Sequence, residues 1–528
     1  MPGGDRFILA IDLGTTALKV ALVTSRGQIV GAETEPQAVS LLPGGGAEQD
    51  PRDWWTAIVR GTRRLMAGTG IPPEQVVAFN SRVHWSGTVC VDAEGRPLRP
   101  AIIWMDSRGA PQAKRITDGP LKLQGYGIGK LVTWIRRTGG VPTHSGKDSL
   151  AHILFLKEAF PDVYRRTHRF LEPKDFLNLV LTGRSAASFD TITVHWVTDN
   201  RNVNDVRYDD RLLRMAGIER DKLPELVRPA SILGLLRPAA ARDLGLTPNV
   251  QVVSGAGDIL AAAIGSGAVR PFDAHLSIGT SSWLVCHVPK KKTDLFHNMA
   301  SLPSAIPGRY LLTNEQESAG GCLTYLRDRL LYAKDELSTG PPPEDVFARF
   351  DRVASSVPAG SEGLIFAPWL NGERSPVDDS SLRGGFFNQS LDTTRAHLVR
   401  AVLEGVAYNS RWLLTYVEKF IRRKLDGVTM IGGGASSDLW CQIHADVFDR
   451  PIRQAQDPVL AGARGAALQA ALALGDVTVE EIPGLVPIAR TFKPNPSYRR
   501  RYDQLFRAFV DIHRNNRRMY ARLNAASR

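Results

Sequence analysis

Cysteine is scarce: there are four in 528 residues, Cys90, Cys286, Cys322 and Cys441, far apart and outside any CxxC or Cys/His ligand spacing. Neither a disulfide framework nor a zinc site is therefore expected, and a reducing cytoplasm fits best. Long apolar runs are lacking too. None approaches the roughly 20 residues of a membrane-spanning helix, and the first residues run straight into a strand-like segment, so neither a membrane span nor a signal peptide is expected. Histidines such as His84, His144 and His444 show no paired ligand spacing, which points to core or solvated roles.

What is present is ordinary globular composition, 43% hydrophobic and 23% charged, in a chain long enough for more than one core. Two large domains are the expectation. The net charge of +12 is dispersed except in the tail around Arg499 to Arg522, so no nucleic-acid partner is implied. That tail has the spacing of an amphipathic helix packing Leu505, Phe506 and Phe509 inward.

FILAIDLG is an apolar strand ending in Asp-Leu-Gly, followed by a second β segment; about half the chain later, DAHLSIGTSSWLVCHV repeats strand, Gly-Thr turn and strand. A duplicated α/β fold would leave such a trace. The division is placed between residues 1–250 and 251–528. RAHLVRAVLEGVAYNSRWLLTYVEKF has the spacing of a long helix.

The turns Gly14-Thr15-Thr16 and Gly279-Thr280-Ser281 can offer backbone N–H groups and hydroxyls to phosphate. Either alone is equally an ordinary β-turn; the matched pair points to one polyphosphate approached from both sides. Asp12 would face the same phosphates, a sensible place for a carboxylate if Mg²⁺ lies between, held directly or through water. VVSGAGD delivers Asp258 to a strand-to-helix turn, as a helix cap, a proton acceptor or both. Gly433 and Gly434, in IGGGASSDLW, would let a nucleobase or ribose lie on bare backbone. GVPTHSGKD is not a Walker A loop: Gly140 is one residue too far from Gly146-Lys147, and Asp148 stands where Ser or Thr would hold Mg²⁺.

In their order, AIDLGTTALKV, RPLRPAIIWMDSR, VVSGAGD, LSIGTSS, APWLNGERSP, RAVLEGVAYN and MIGGGASSDLW resemble the FGGY carbohydrate kinase family, in its xylulokinase-like branch, almost end to end. The resemblance implies two ribonuclease-H-like domains of the actin, sugar kinase and heat-shock ATPase superfamily. ATP and Mg²⁺ would lie in the cleft between them, with a sugar or polyol held mainly by the first. It implies Asp12 as the Mg²⁺-associated carboxylate, Gly14, Thr15 and Thr16 as the first phosphate contacts, and Gly279, Thr280 and Ser281 as the second. Gly433 and Gly434 would be the adenosine contacts and Asp258 the catalytic base. Trp85, Ser86, Trp104 and Asp106 would line the sugar pocket with Asp258. A homodimer is a further expectation; membrane and nucleic-acid partners are not expected.

Departures concern the sugar. Val83-His84-Trp85-Ser86-Gly87 stands where xylulokinases carry Gly-Gln-Met-His-Gly, so Ser86 replaces a sugar-binding histidine. Ile259 replaces an asparagine beside the base. His152 to Phe155 stand for a Lys-x-x-Trp signature, after an insertion near 121–150, and Asn388 stands for a signature glycine. Two non-catalytic alternatives are a sugar-binding regulator and a nucleotide-driven conformational protein of the same superfamily; retention of Asp12 and Asp258 disfavours the first, and IIWMDSR and NGERSP the second.

Overall fold

The computed structural model describes residues 6–338 and 340–524. The apolar run expected as a strand forms β1 (Phe7–Leu13), buried at every position, as a strand covered on both faces must be. It pairs antiparallel with β2 (Ala17–Thr24), which pairs antiparallel with β3 (Ile29–Pro36). On its other side β1 pairs parallel with β4 (Val76–Val83). Beyond it, β5 (Ile232–Leu235) and β6 (Gln251–Val253) complete the order β5-β6-β4-β1-β2-β3, and a short β7 (Ala256–Gly257) also pairs with β4.

The second sheet contains β8 (Ala274–Ile278), β9 (Ser282–Val288), β10 (Thr293–Asp294), β11 (Met299–Pro303), β12 (Tyr310–Thr313), β13 (Val428–Ile431), β14 (Ile452–Ala455) and β15 (Ile488–Phe492), in the order β10-β11-β12-β9-β8-β13-β14-β15. Hairpin β8/β9 corresponds to β1/β2, and β12 to β3. Parallel β13 and β14 correspond to β4 and β6; antiparallel β15 takes the edge that β5 takes in the first sheet, but follows its partner in the chain where β5 precedes its own. Five strands of each half, β1-β2-β3-β4-β6 and β8-β9-β12-β13-β14, thus repeat one topology. The first sheet takes in residues on both sides of the expected division at 250/251, because β6 and β7 pair with β4.

Seven helices matter here. α1 (Pro51–Thr69) starts at Asp50, whose carboxylate accepts from Arg52 N, and ends at Gly70 with φ 65°. α2 (Ser149–Ala159) lies behind the pocket region, and α3 (Asp258–Gly265) leaves the first sheet directly after β7. The long helix read from the sequence is α4 (Arg395–Ile421), followed by α5 (Asp438–Phe448), α6 (Ala461–Leu474) and α7 (Arg499–Leu523). α7 buries Leu505 and Phe509, with Phe506 partly buried, as its spacing predicts. Among the described residues, no helix is long and apolar enough to cross a membrane.

α6 belongs in sequence to the second half but packs on β1 and β4 of the first sheet and on α3. Asn80 of β4 donates through Nδ2 to the Ala466 carbonyl at 2.7 Å and to Gln469 Oε1 at 3.0 Å. Helices α3 and α6 cross where Gly265 meets Ala461 and Gly465 meets Ala261: a Cβ on Gly465 would lie 1.9 Å from the Ala261 carbonyl oxygen. This glycine contact lets the helix bearing Asp258 lie flush against the one bracing the first sheet.

Candidate active site

Strand register assembles the charged centre. Asp12 is the partner of Arg82 across β1 and β4, and Arg82 is the partner of Ala256 across β4 and β7. Partners in register project to the same face, so the sheet sends Asp12 and Arg82 to the side where the chain, two residues after Ala256, enters α3 at Asp258. Arg82 Nη1 donates to Asp12 Oδ1, its Nε lies 3.4 Å from the Asp258 carbonyl oxygen, and Lys19 Nζ is 3.6 Å from Asp12 Oδ2.

Asp258 is the first residue of α3, one past the cap position held by Gly257, and its Oδ1 accepts from Ile259 N at 2.9 Å. Of the roles the sequence left open, the cap itself thus belongs to its neighbour. Burial pushes the Asp258 carboxyl up to about 6, with the Arg82 guanidinium opposing that rise. The Trp85 ring lies against Gly257, and its Nε1 donates to the Thr191 carbonyl at 2.9 Å. Trp85 therefore forms a fixed wall beside Asp258. Ser86 sits at φ 64°, a left-handed turn that redirects the chain into Gly87.

The first turn is closed by Gly14 N donating to the Ala17 carbonyl at 3.0 Å. Thr15 Oγ1 accepts from Trp104 Nε1 at 2.8 Å, and Thr16 is exposed. Gly279 and Thr280 are exposed in the β8/β9 turn, where Gly279 N donates to the Ser281 carbonyl at 2.9 Å. After β13, Gly432 takes φ 83°, and Gly433 and Gly434 open a short 3₁₀ turn leading into α5. Gly433 is exposed, whereas a Cβ on Gly434 would lie 2.5 Å from Ile278 Cγ2. Ala262 of α3, Ile431, Ala461 and Trp283 form one small apolar cluster. It ties the helix of Asp258 to both glycine turns of the second half.

Asp106 departs from expectation. It is 0% exposed, its Oδ2 accepts from Ala47 N at 2.9 Å, and the Arg108 fork holds both oxygens. A buried carboxylate must be paired, and here the pairing locks the loop after Trp104 and leaves no free oxygen for a sugar. His152 and Phe155 of α2 pack behind that loop: His152 Nε2 is 3.2 Å from the Asp106 carbonyl, and Arg108 lies over the Phe155 ring. The insertion forms a small hairpin and the helix Ile128–Thr138. Asn388 takes φ 67°, the conformation that favours glycine and that asparagine tolerates.

Several site residues were missed by sequence reasoning. Arg82 carried one signal, a lone charge in a strand parallel to the one carrying Asp12. Arg374, inside NGERSP, lies over the Trp104 ring with its guanidinium carbon 5.8 Å from the centroid; it pairs with Glu315 at 2.5 Å and with Glu317. This links the first half to the second across Thr15, Trp104 and Arg374. Lys147, in the segment set aside as a false Walker A loop, is half-buried close to Arg374, Glu317 and Glu315, and burial lowers its ammonium pKa. Among the described residues it has no carboxylate within 4 Å.

Two copies of one α/β topology, each offering a glycine turn beside a shared carboxylate centre, define a phosphotransferase of the actin, sugar kinase and heat-shock ATPase fold. Residues 7–265 match the N-terminal domain of the FGGY family of carbohydrate kinases and residues 274–474 its C-terminal domain; the chain belongs to that family and is an ATP-dependent sugar kinase. It is 29% identical to a xylulose kinase of Staphylococcus epidermidis, over 98% of each chain. It is 27% identical to a gluconokinase of Bacillus subtilis, over 84% of this chain and 83% of that one. The gluconate kinase structure from Lactobacillus acidophilus superposes with a TM-score of 0.84 at 23% identity, over 98% of this chain and 100% of that one. Nothing found supports the regulator or the conformational protein as alternatives.

Proposed function

We propose that the acceptor is a ketose, such as the pentulose xylulose, or a polyol, and that Asp258 is the base. The carrying observation is the placement of Asp258 at the start of α3, beside Asp12 and Arg82. Acceptor and ATP meet between the halves. Backbone N–H groups and hydroxyls of Gly14, Thr15, Thr16, Gly279, Thr280 and Ser281 hold phosphate oxygens, and Gly433 with Gly434 underlies adenosine. Trp104 and Trp85 wall the sugar, and Ser86 lies beside it. Asp258 takes the proton of the attacking hydroxyl. A single hard carboxylate, Asp12, suits Mg²⁺, which is commonly bound by one or two carboxylates plus substrate phosphates. Asp12 would hold it directly or through water, and the ion supplies charge neutralisation on the phosphate oxygens. We place the domain boundary in the connection between α3 and β8, the protein in the cytoplasm, and the assembly as a homodimer.

ADP release with ATP, Mg²⁺ and a panel of xylulose, ribulose, glycerol and erythritol tests the reading. Release should depend on one class of acceptor; no stimulation by any ketose or polyol would remove this acceptor assignment. Because only ionised Asp258 accepts a proton, kcat/KM with the best acceptor should fall as pH drops through about 6, and a profile flat from pH 5 to pH 8 would count against the base.

A second reading is favoured by Lys147, a half-buried ammonium close to Arg374 that has no carboxylate within 4 Å among the described residues, and by the gluconokinase relative. In it the acceptor is an acid sugar whose carboxylate meets Lys147. Gluconate in the same panel decides: a higher kcat/KM for gluconate than for ketoses, with Lys147→Met raising KM for gluconate by about tenfold or more, supports it. Faster turnover of ketoses, unchanged in Lys147→Met, removes it.

A further inference from the structure

Arg82 belongs to the strand that the turn residues do not mark, and nothing in the proposed roles of Asp12 and Asp258 requires it. Its position is nonetheless built. The stem is gripped on one side by Gly462 at the start of α6, where a Cβ would lie 2.7 Å from Arg82 Cδ. The head is flanked by Asp12, reached through Nη1, and by the Asp258 backbone, reached through Nε. Among the described residues, Nη2 donates to no protein group. Asp12 does not depend on Arg82 alone, since Lys19 Nζ stands 3.6 Å from its other oxygen. A guanidinium has five donors in a fixed fork matched to phosphoryl oxygens, and here that fork is only partly used by the protein.

Resting on the assignment of Asp258 as base, we propose that Arg82 is a catalytic residue that grips the phosphoryl group in transit. The acceptor hydroxyl oxygen forms a bond to the γ-phosphorus while the bond from phosphorus to the β,γ-bridging oxygen breaks. That oxygen leaves with the electron pair as part of ADP, and the hydroxyl proton passes to the Asp258 carboxylate. Charge is spread over the three equatorial oxygens during this exchange. The group in flight must lie within reach of both Asp258 and the phosphate turn after Asp12, which is the space Arg82 borders. Beside the Mg²⁺ that Asp12 would hold, Arg82 adds directed donors toward those oxygens without reorganisation at the moment of transfer.

The test compares wild type, Arg82→Gln, Arg82→Lys and Arg82→Ala, with the best acceptor and Mg²⁺ present. Calorimetry measures ADP alone and ADP with aluminium fluoride, a mimic of the phosphoryl group in flight. Arg82→Gln should keep ADP affinity, lose affinity for the fluoride complex, and lower kcat by about 100- to 1,000-fold with KM for ATP little changed. Arg82→Lys retains the charge beside Asp12 and should fold even if Arg82→Gln does not; it should show the same selective loss, because a point charge lacks the fork. Added guanidinium should restore part of the Arg82→Ala rate and none of the Asp258→Asn rate. The proposal is overturned if Arg82→Lys binds the fluoride complex as tightly as wild type, or if both ligands weaken equally, the mark of a purely structural residue. Normal turnover in Asp258→Asn would instead sink the base assignment, and the calorimetric comparison distinguishes that failure from one of Arg82.

Discussion

Asp258→Asn should lower kcat by about 100- to 10,000-fold, the range typical of a lost general base, while ADP affinity stays unchanged. Asparagine keeps the size and the acceptor for Ile259 N, so α3 is not disturbed and the loss reports proton acceptance. A stability signature accompanies it. The folded carboxyl titrates at about 6, above its ordinary 3.8, so its favourable contribution to folding is complete below pH 4 and is lost as pH rises through 6. The neutral asparagine escapes that loss. The variant should therefore melt higher than wild type at pH 8, by the equivalent of up to about 3 kcal/mol, and no higher at pH 4. Catalytic loss with stability gain at high pH is the mark of a buried base; near-normal turnover, or equal melting at both pH values, would contradict the assignment.

What could be read beforehand was what lies close in sequence. β1/β2 and β8/β9, the two glycine turns and the delivery of Asp258 to the start of a helix are each encoded within about a dozen residues by apolar runs and turn residues. Their repetition half a chain apart implied the duplication, and five strands of each sheet repeat it. Arg82 beside Asp12 depends on the register of two strands separated by the whole of α1, and nothing local records register. Arg374 over Trp104 and Lys147 near Glu317 depend on how the halves meet. Asp106 was misplaced for the converse reason: a Trp-Met-Asp turn looks like a pocket rim, but the donors that consume its carboxylate, Ala47 N and the Arg108 fork, come from the fold around it. The turn at 388 behaved differently, because its left-handed conformation can be filled by asparagine almost as by glycine.

The crossing of α3 and α6 carries the second large effect. Gly465→Ala places a methyl 1.9 Å from the Ala261 carbonyl oxygen, and Gly265→Ala places one 1.7 Å from the Ala461 carbonyl oxygen. Both obstacles are backbone, so no side chain can swing aside and the helices must separate. Overpacking of this kind costs about 3 kcal/mol or more, so Gly465→Ala should lower Tm by roughly 6–12 °C, at 2–4 °C per kcal/mol for domains of this size. Gly68→Ala is the control: its site in α1 is exposed with no atom within 4 Å of the added carbon, and removing a helical glycine should raise Tm slightly. The consequence for chemistry follows from where α3 begins. Separating it from α6 moves Asp258 relative to β1 and β4, which α6 braces, and misplacement by about 1 Å can cost about 100-fold in rate. Assayed well below its lowered Tm, Gly465→Ala should therefore show a kcat reduced by more than its unfolded fraction explains. A lowered Tm with full kcat would show that α3 holds Asp258 in place without this contact.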